Sequence, residues 1–210
     1  MTAPDHAATV FVVDDDEAVR SSLRLLLKSL GMPAVTHGSA AEFLAAYDPE
    51  QPGCIILDVR MPGMNGLELQ DELNRRGAII PVIFITGHGD VPMAVEAMQH
   101  GAVDFLQKPF SDKELTDRIQ RAIATDNRNR TLLGHKDRMR ARLAALTRRE
   151  MQVLRLVTLG KSSKVIAADL GVSQRTVEIH RAHLMEKMGA TSLAHLVRMT
   201  MIADMGISTY

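Results

Sequence analysis

Five residues have the types and positions to share one reaction. Asp14, Asp15 and Asp58 carry carboxylates, Thr86 a hydroxyl and Lys108 an ammonium. Each stands at or just beyond the end of an apolar run: Val10–Val13, Cys54–Leu57, the run from Pro81 to Thr86, and Val103–Leu106. In an open α/β sheet the ligand crevice lies at the carboxyl ends of the strands. Three carboxylates gathered there repel one another and need a cation. Oxygen-only ligands in a site that keeps water favour Mg²⁺. A phosphoryl group on Asp58 would then find Mg²⁺, the Lys108 ammonium and the Thr86 hydroxyl around its oxygens. That is the charge stabilisation phosphoryl transfer requires. Taken singly the signals are bland. An Asp after a strand is ordinarily a turn or cap residue, DDDE suits any helix first turn, and Lys108–Pro109 suits any loop. Their coincidence at four strand ends carries the reading. His88, between Gly87 and Gly89, reads as a loop residue rather than a metal ligand, and Met93 and Met98 as helix packing.

The elements that must hold these groups alternate. Strands are expected at Val10–Val13, Ala34–Thr36, Cys54–Leu57, Pro81–Thr86 and Val103–Leu106. A helix over Ala18–Leu30 carries Val19, Leu23, Leu26, Leu27 and Leu30 at helical spacing and closes at Gly31. Ser39 with Glu42, and Ser111 with Glu114, form capping-box patterns opening two further helices. Others are expected at Gly66–Arg76 and Pro92–Gln99. Strand followed by helix, five times over, predicts a doubly wound, five-stranded parallel sheet.

Composition bounds the rest. Hydrophobic residues make up 46% of 210, which excludes a disordered chain. The lone Cys54 cannot form an internal disulfide. No signal peptide and no membrane-length apolar run is evident, so a soluble cytoplasmic protein with no membrane contact is expected. The net charge of zero hides a split. Residues 1–125 hold 10 Lys and Arg against 18 Asp and Glu, and residues 126–210 hold 15 against 7, a net of −8 and +8. One acidic and one basic module are implied, the latter a candidate for nucleic acid.

In the basic half, residues 125–143 are polar and read as a linker, either an extension of the preceding helix or a tether. Thr147 with Glu150 is a third capping-box pattern. Helices are expected from Thr147 to Gly160, at Lys161–Leu170, at Gln174–Met188 after the N-cap Ser173, and at Ser192–Met205. Two short helices joined through Gly171, Val172 and Ser173 make a helix-turn-helix, whose second helix enters the major groove. Its outer face is expected to carry Gln174, Arg175, Glu178, Arg181 and Lys187, with Val177, Leu184 and Met188 inside.

The motifs VVDDDEAVR, LDVRMPGMNG, ITGHGDVPMAVEAM and GAVDFLQKPF closely resemble the receiver domains of FixJ-type response regulators, over residues 9–124 after a disordered tail at 1–8. The resemblance implies a flavodoxin-like fold and phosphorylation of Asp58 by a sensor histidine kinase. It implies Mg²⁺ bound by Asp15, Asp58 and the backbone carbonyl of Arg60, with Asp14 acting through water. Lys108 would contact the phosphoryl group, with a cis bond to Pro109, while Thr86 and Phe105 would act as the switch pair. The surface from Val91 to Leu106 would become a face for homodimer formation on phosphorylation. Residues 144–206 resemble LuxR-type DNA-binding domains through LTRREMQVLRLV and SSKVIAADLGVSQRTVEIHRAHLMEKMGATS. That implies a double-stranded DNA operator, with RNA polymerase a candidate partner. Glu178 stands where family members often carry Lys, so base preference does not transfer, and a carboxylate suits cytosine N4 better than guanine. Lys164, Thr176, His180 and Lys187 are the expected phosphate contacts.

Two other classes fit parts of the pattern. A hydrolase could use Asp14 and Asp16 as a D-x-D pair, although Ala18 stands where such a motif wants Thr or Val. A phosphorelay adaptor could use the helical half to bind protein.

Overall fold

The computed structural model describes residues 7–87 and 98–202. Two compact units divide the chain, Met1–Arg130 and Thr131–Tyr210. The first is built from β1 (Thr9–Val13), α1 (Glu17–Ser29), β2 (Ala34–His37), α2 (Ala40–Ala46), β3 (Gly53–Asp58), α3 (Gly66–Arg75), β4 (Val82–Thr86) and β5 (Asp104–Gln107). The N-terminal part of α4 (Asp112–Ala144) completes it. The expected helix at Pro92–Gln99 lies outside the described residues except for Met98 and Gln99, which are helical.

The sheet order is β2-β1-β3-β4-β5, with every neighbouring pair parallel. Parallel strands covered on both faces read as unbroken apolar runs. On one face Phe11, Val13, Ile55, Leu57 and Phe84 pack with Phe43 of α2 and with Leu69 and Leu73 of α3. On the other, Val10, Val12, Cys54, Ile56, Ile83 and Ile85 pack with Leu23 and Leu27 of α1 and with Leu115 and Ile119 of α4. Burial drives the Cys54 thiol up to about 12, so this residue is a small apolar filler.

The chain leaves β1 for β2 at one edge and returns to β3 on the other side of β1, so winding reverses between β1 and β3. Their register sets Val13 opposite Leu57, and Asp14 and Asp58 therefore leave the sheet side by side. Asp58 in turn stands opposite Ile85, one residue before Thr86. Gly66 makes the return after Asp58 possible, since a Cβ there would sit 2.3 Å from the Asp58 carbonyl oxygen.

Several helix starts differ from expectation. Ser39 accepts from the Glu42 N–H, but the Glu42 carboxylate reaches past Ser39 to the Gly38 N–H at 2.7 Å, so that box is half formed. The box at Ser111 and Glu114 is reciprocal. An unanticipated one opens α3, where Asn65 and Glu68 exchange bonds of 2.9 Å.

The polar segment 125–143 is helical throughout, within α4. Asp126, fully buried, accepts the Gly53 N–H at 2.9 Å and Arg130 Nε at 2.7 Å. Arg130 also donates to the carbonyls of Pro49 and Gln51 at 2.8 and 2.7 Å. These two residues pin α4 to the loop feeding β3.

The second unit contains α5 (Arg148–Thr158), α6 (Ser163–Leu170), α7 (Gln174–Met188) and α8 (Leu193–Ile202). The α6 helix begins at Ser163 rather than Lys161, because Ser162 caps it by accepting the Val165 N–H. Residues 203–205, expected to continue α8, lie outside the described residues. Val153, Leu154, Ile166, Val177, Leu184, Met188 and Leu196 form the core, joined by Met139 and Leu143 of α4. Gly171 and Gly189 close α6 and α7 in the left-handed conformation, at φ of 66° and 64°.

Replacing Arg130 with Met strands the Asp126 carboxylate in the core. The first unit is expected to lose roughly 3–5 kcal/mol, the cost of breaking one side of a buried pair. Urea denaturation of the two proteins measures it, and a loss under about 1 kcal/mol would show the pin to be incidental.

Candidate functional site

The Lys108 ammonium lies 3.2 Å from Asp14 Oδ2 and 3.3 Å from Asp58 Oδ1. Strand ends produce this meeting. Asp14 follows β1, Asp58 closes β3, and Lys108 follows β5 with its N–H donating to the Thr86 carbonyl at 2.8 Å. The other oxygen of Asp58 accepts the Arg60 N–H at 2.7 Å. Asp14 is buried, with Oδ1 accepting the Asp16 N–H at 2.8 Å and its carbonyl accepting Arg20 Nη1 at 2.7 Å. Asp15, the next residue, is exposed.

Burial pushes the Asp58 carboxyl above its ordinary range, and the Asp14 charge adds to that; the Arg60 N–H and the Lys108 ammonium oppose both. Burial alone would lower the Lys108 pKa, but Asp14 and Asp58 outweigh it and the net shift is upward. The half-enclosed pair of carboxylates thus holds more negative charge than one ammonium offsets. All its ligand atoms are oxygens, which fits a hard dication. Among the described residues no three His, Cys, Asp or Glu side chains already form a metal cage. Mg²⁺ does not need one, because it keeps several of its waters.

Thr86 is buried at the end of β4. Phe105, opposite Phe84 in the sheet, is half-buried against the core. The Lys108–Pro109 bond is cis, as the resemblance implies. Of the expected dimer face, residues 91–97 lie outside the described residues, as do His88 and Met93.

In the helical unit, α7 buries Val177, Leu184 and Met188 as expected. Its exposed side carries Gln174, Arg175 and Glu178, with Gln174 Nε2 donating to Glu178 Oε1 at 2.9 Å. Ile179, Ala182, His183 and Glu186 share that exposure and were missed; a 100° step per residue from the apolar stripe would have found them. Lys164 on α6 is exposed, while Thr176 and His180 are half-buried. Two expected contacts have partners within the helical unit. Arg181 falls on the stripe formed by Val177, Leu184 and Met188; it is half-buried, lies 3.4 Å from Ser163 Oγ and lines a small cavity with Leu184 and Leu196. Lys187 is exposed, and its ammonium lies 2.7 Å from a carboxylate oxygen of the buried Glu150.

Residues 10–120 match the family described as "Response regulator receiver domain". Residues 144–200 match "Bacterial regulatory proteins, luxR family". The chain belongs to the response regulators. The regulator combines a receiver with a LuxR-family DNA-binding domain, a class of transcription regulators rather than of enzymes. The transcriptional regulatory protein FixJ of Azorhizobium caulinodans is 50% identical to it over 194 residues, 92% of either chain. Nodulation protein W of Bradyrhizobium diazoefficiens is 47% identical over 99% of this chain and 90% of its own. The solved structure of the response regulator StyR aligns with a TM-score of 0.84 at 45% identity, covering 93% of this chain and 98% of that one. Full-length FixJ from B. japonicum aligns with a TM-score of 0.58 at 43% identity, covering 93% and 97%.

Two titrations test the electrostatics of the regulator. Lys108→Met removes an ammonium that holds the Asp58 pKa down, so the carboxyl should titrate at still higher pH. Carboxyl-carbon NMR reads this, and an unmoved midpoint would mean that Lys108 does not act on Asp58. The hydrogen bond from Lys187 draws the Glu150 carboxyl down from 4.5 to about 2. A depressed carboxylate stabilises the fold above its unfolded pKa and loses that contribution as pH falls through its folded one. Stability of the helical unit should therefore decline between about pH 4.5 and 2. Glu150→Gln should flatten that decline in urea melts across the range.

Proposed function

We propose that Asp58 accepts a phosphoryl group from a sensor histidine kinase, and that the acyl phosphate promotes dimerisation and operator binding. The observation that carries this is the single ammonium of Lys108 shared by Asp14 and Asp58 at adjoining strand ends. A carboxylate oxygen of Asp58 attacks phosphorus while the bond to the kinase imidazole breaks, its electron pair leaving with the ring nitrogen. Only the ionised carboxylate is a nucleophile. Lys108 and the Arg60 N–H work against burial to keep it so. Asp14, Asp15, Asp58 and the backbone carbonyl of Arg60 would hold Mg²⁺, which when bound supplies positive charge to the phosphoryl oxygens.

Once Asp58 carries the phosphoryl group as an acyl phosphate, its negative charge moves outward onto the phosphoryl oxygens. Lys108 follows that charge, and the Thr86 hydroxyl turns to meet it. Phe105 then reorients, and the surface from Val91 to Leu106 becomes the dimer face. Moving such an equilibrium from 1:99 to 99:1 takes about 5.5 kcal/mol of differential stabilisation. The covalent step makes Asp58 a switch rather than a site of turnover, and the protein acts in the cytoplasm. RNA polymerase is a candidate partner for the dimer on DNA.

The receiver is assigned to residues 9–124 and the DNA-binding domain to 144–206, joined by 125–143. Gln174, Arg175 and Glu178 are proposed to read base edges. Lys164, Thr176, His180 and Lys187 are proposed to meet phosphates, and Arg181 is proposed to touch DNA from its half-buried place on α7.

Asp58→Asn should stay monomeric on treatment with acetyl phosphate and Mg²⁺, where the parent protein dimerises in light scattering. Because ionised Asp58 is disfavoured by burial, the Asn variant should be no less stable than the parent, so lost response cannot be lost fold. Dimerisation of the variant would remove Asp58 from this role. Arg175→Ala should weaken operator binding by about 1–3 kcal/mol, leaving Asp58 phosphorylation unchanged. Gel shifts beside phosphate-affinity gels separate the two readouts.

A further inference from the structure

Gln174 is the first residue of α7, and Glu178 stands one turn further along. The second helix of a helix-turn-helix lays its N-terminal residues against base edges, so both belong to the part that meets sequence. Both side chains are exposed. Gln174 Nε2 donates to Glu178 Oε1 at 2.9 Å. The hydroxyls beside them are engaged elsewhere. Ser173 Oγ accepts the Thr176 N–H at 3.1 Å and lies 2.8 Å from the Thr176 hydroxyl, which ties the two together in the helix cap.

The bond to Glu178 decides which way the Gln174 amide lies. An ionised carboxylate only accepts, so turning the amide over would set oxygen against oxygen. In water that preference is small. It grows where DNA displaces water, because hydrogen bonds and their mismatches count for more at low dielectric. With one N–H given to Glu178, Gln174 keeps Oε1 as an acceptor and its second N–H as a donor.

We infer that Gln174 reads an adenine in each half-site, and that Glu178 is the positioning residue that fixes its amide for that base. Adenine offers N6–H and N7 in the major groove, a donor beside an acceptor, which matches Oε1 and the remaining N–H as a bidentate pair. Guanine offers O6 and N7, two acceptors, and its O6 would meet Oε1. Cytosine offers only N4–H₂ and leaves the Gln174 N–H without a partner. Thymine offers only the O4 acceptor and leaves Oε1 without one. The inference rests on α7 being the helix that faces the bases.

The test is selection of binding sites by the full chain from a random duplex library. It is run with acetyl phosphate and Mg²⁺, and again at high protein concentration without them, so that the result does not hang on Asp58. Competition gel shifts then compare adenine with guanine at the selected position. The parent chain should prefer adenine there by about 5- to 150-fold, the range for one bidentate pair. Gln174→Ala and Glu178→Ala should each remove most of that preference at the same position. The double variant should lose no more than either alone, as members of one unit do. Glu178→Gln keeps an acceptor for the amide and should keep the preference. A preference that survives Glu178→Ala, additive losses at two different positions, or a loss in Glu178→Gln as complete as in Glu178→Ala would overturn the role of Glu178. A selected sequence in which Gln174→Ala relaxes no adenine would overturn the inference and leave α7 as the DNA-facing helix. Selection of no sequence at all would overturn both.

Discussion

Two carboxylates sharing one ammonium set the terms for the first unit. Asp14 and Asp58 cannot both lie half-enclosed beside each other without a cation, and Lys108 supplies only one charge. A parallel sheet is what brings three such distant residues together. Its strands all end at one edge, and the reversal of winding between β1 and β3 opens that edge next to Asp58. The surplus negative charge that results is unfavourable for the resting fold and is of the sign that suits a cation.

The second unit uses the same device to a different end. Glu150 and Lys187 form an ion pair in which the carboxylate is buried and also closes the capping box of α5. Here the charges balance, and the hydrogen bonds leave the acid strongly ionised. Nothing about the pair invites a further ion. A balanced pair fixes how α5 meets α7, whereas an unbalanced cluster responds to what binds it.

Much of this was legible from residue order. Buried parallel strands announce themselves as apolar runs, and the residues at their ends follow directly, which is why Asp14, Asp58, Thr86 and Lys108 could be assigned to one edge. Partners distant in sequence were not legible. Lys187 reads as a free surface cation until Glu150, 37 positions earlier, is brought against it. Asp126 and Arg130 read as linker because Gly53 lies 73 residues away. Arg181 is a different case. Its period places it on the apolar stripe of α7, although its charge suggests a residue facing outward. Asn65 and Glu68, three residues apart, form a cap that an Asn beside Gly66 does not announce.

The solitary thiol has a practical side. Cys54 is the second residue of β3, has no exposed surface, and burial pushes its thiol up to about 12. It is therefore closed to maleimides and methanethiosulfonates while the sheet is intact. A cysteine introduced on the surface of either unit would be the one reactive thiol in the folded chain. Spin or fluorescent probes could then be attached one site at a time without first removing the native residue, and the sudden reactivity of Cys54 would itself mark the moment the receiver sheet opens.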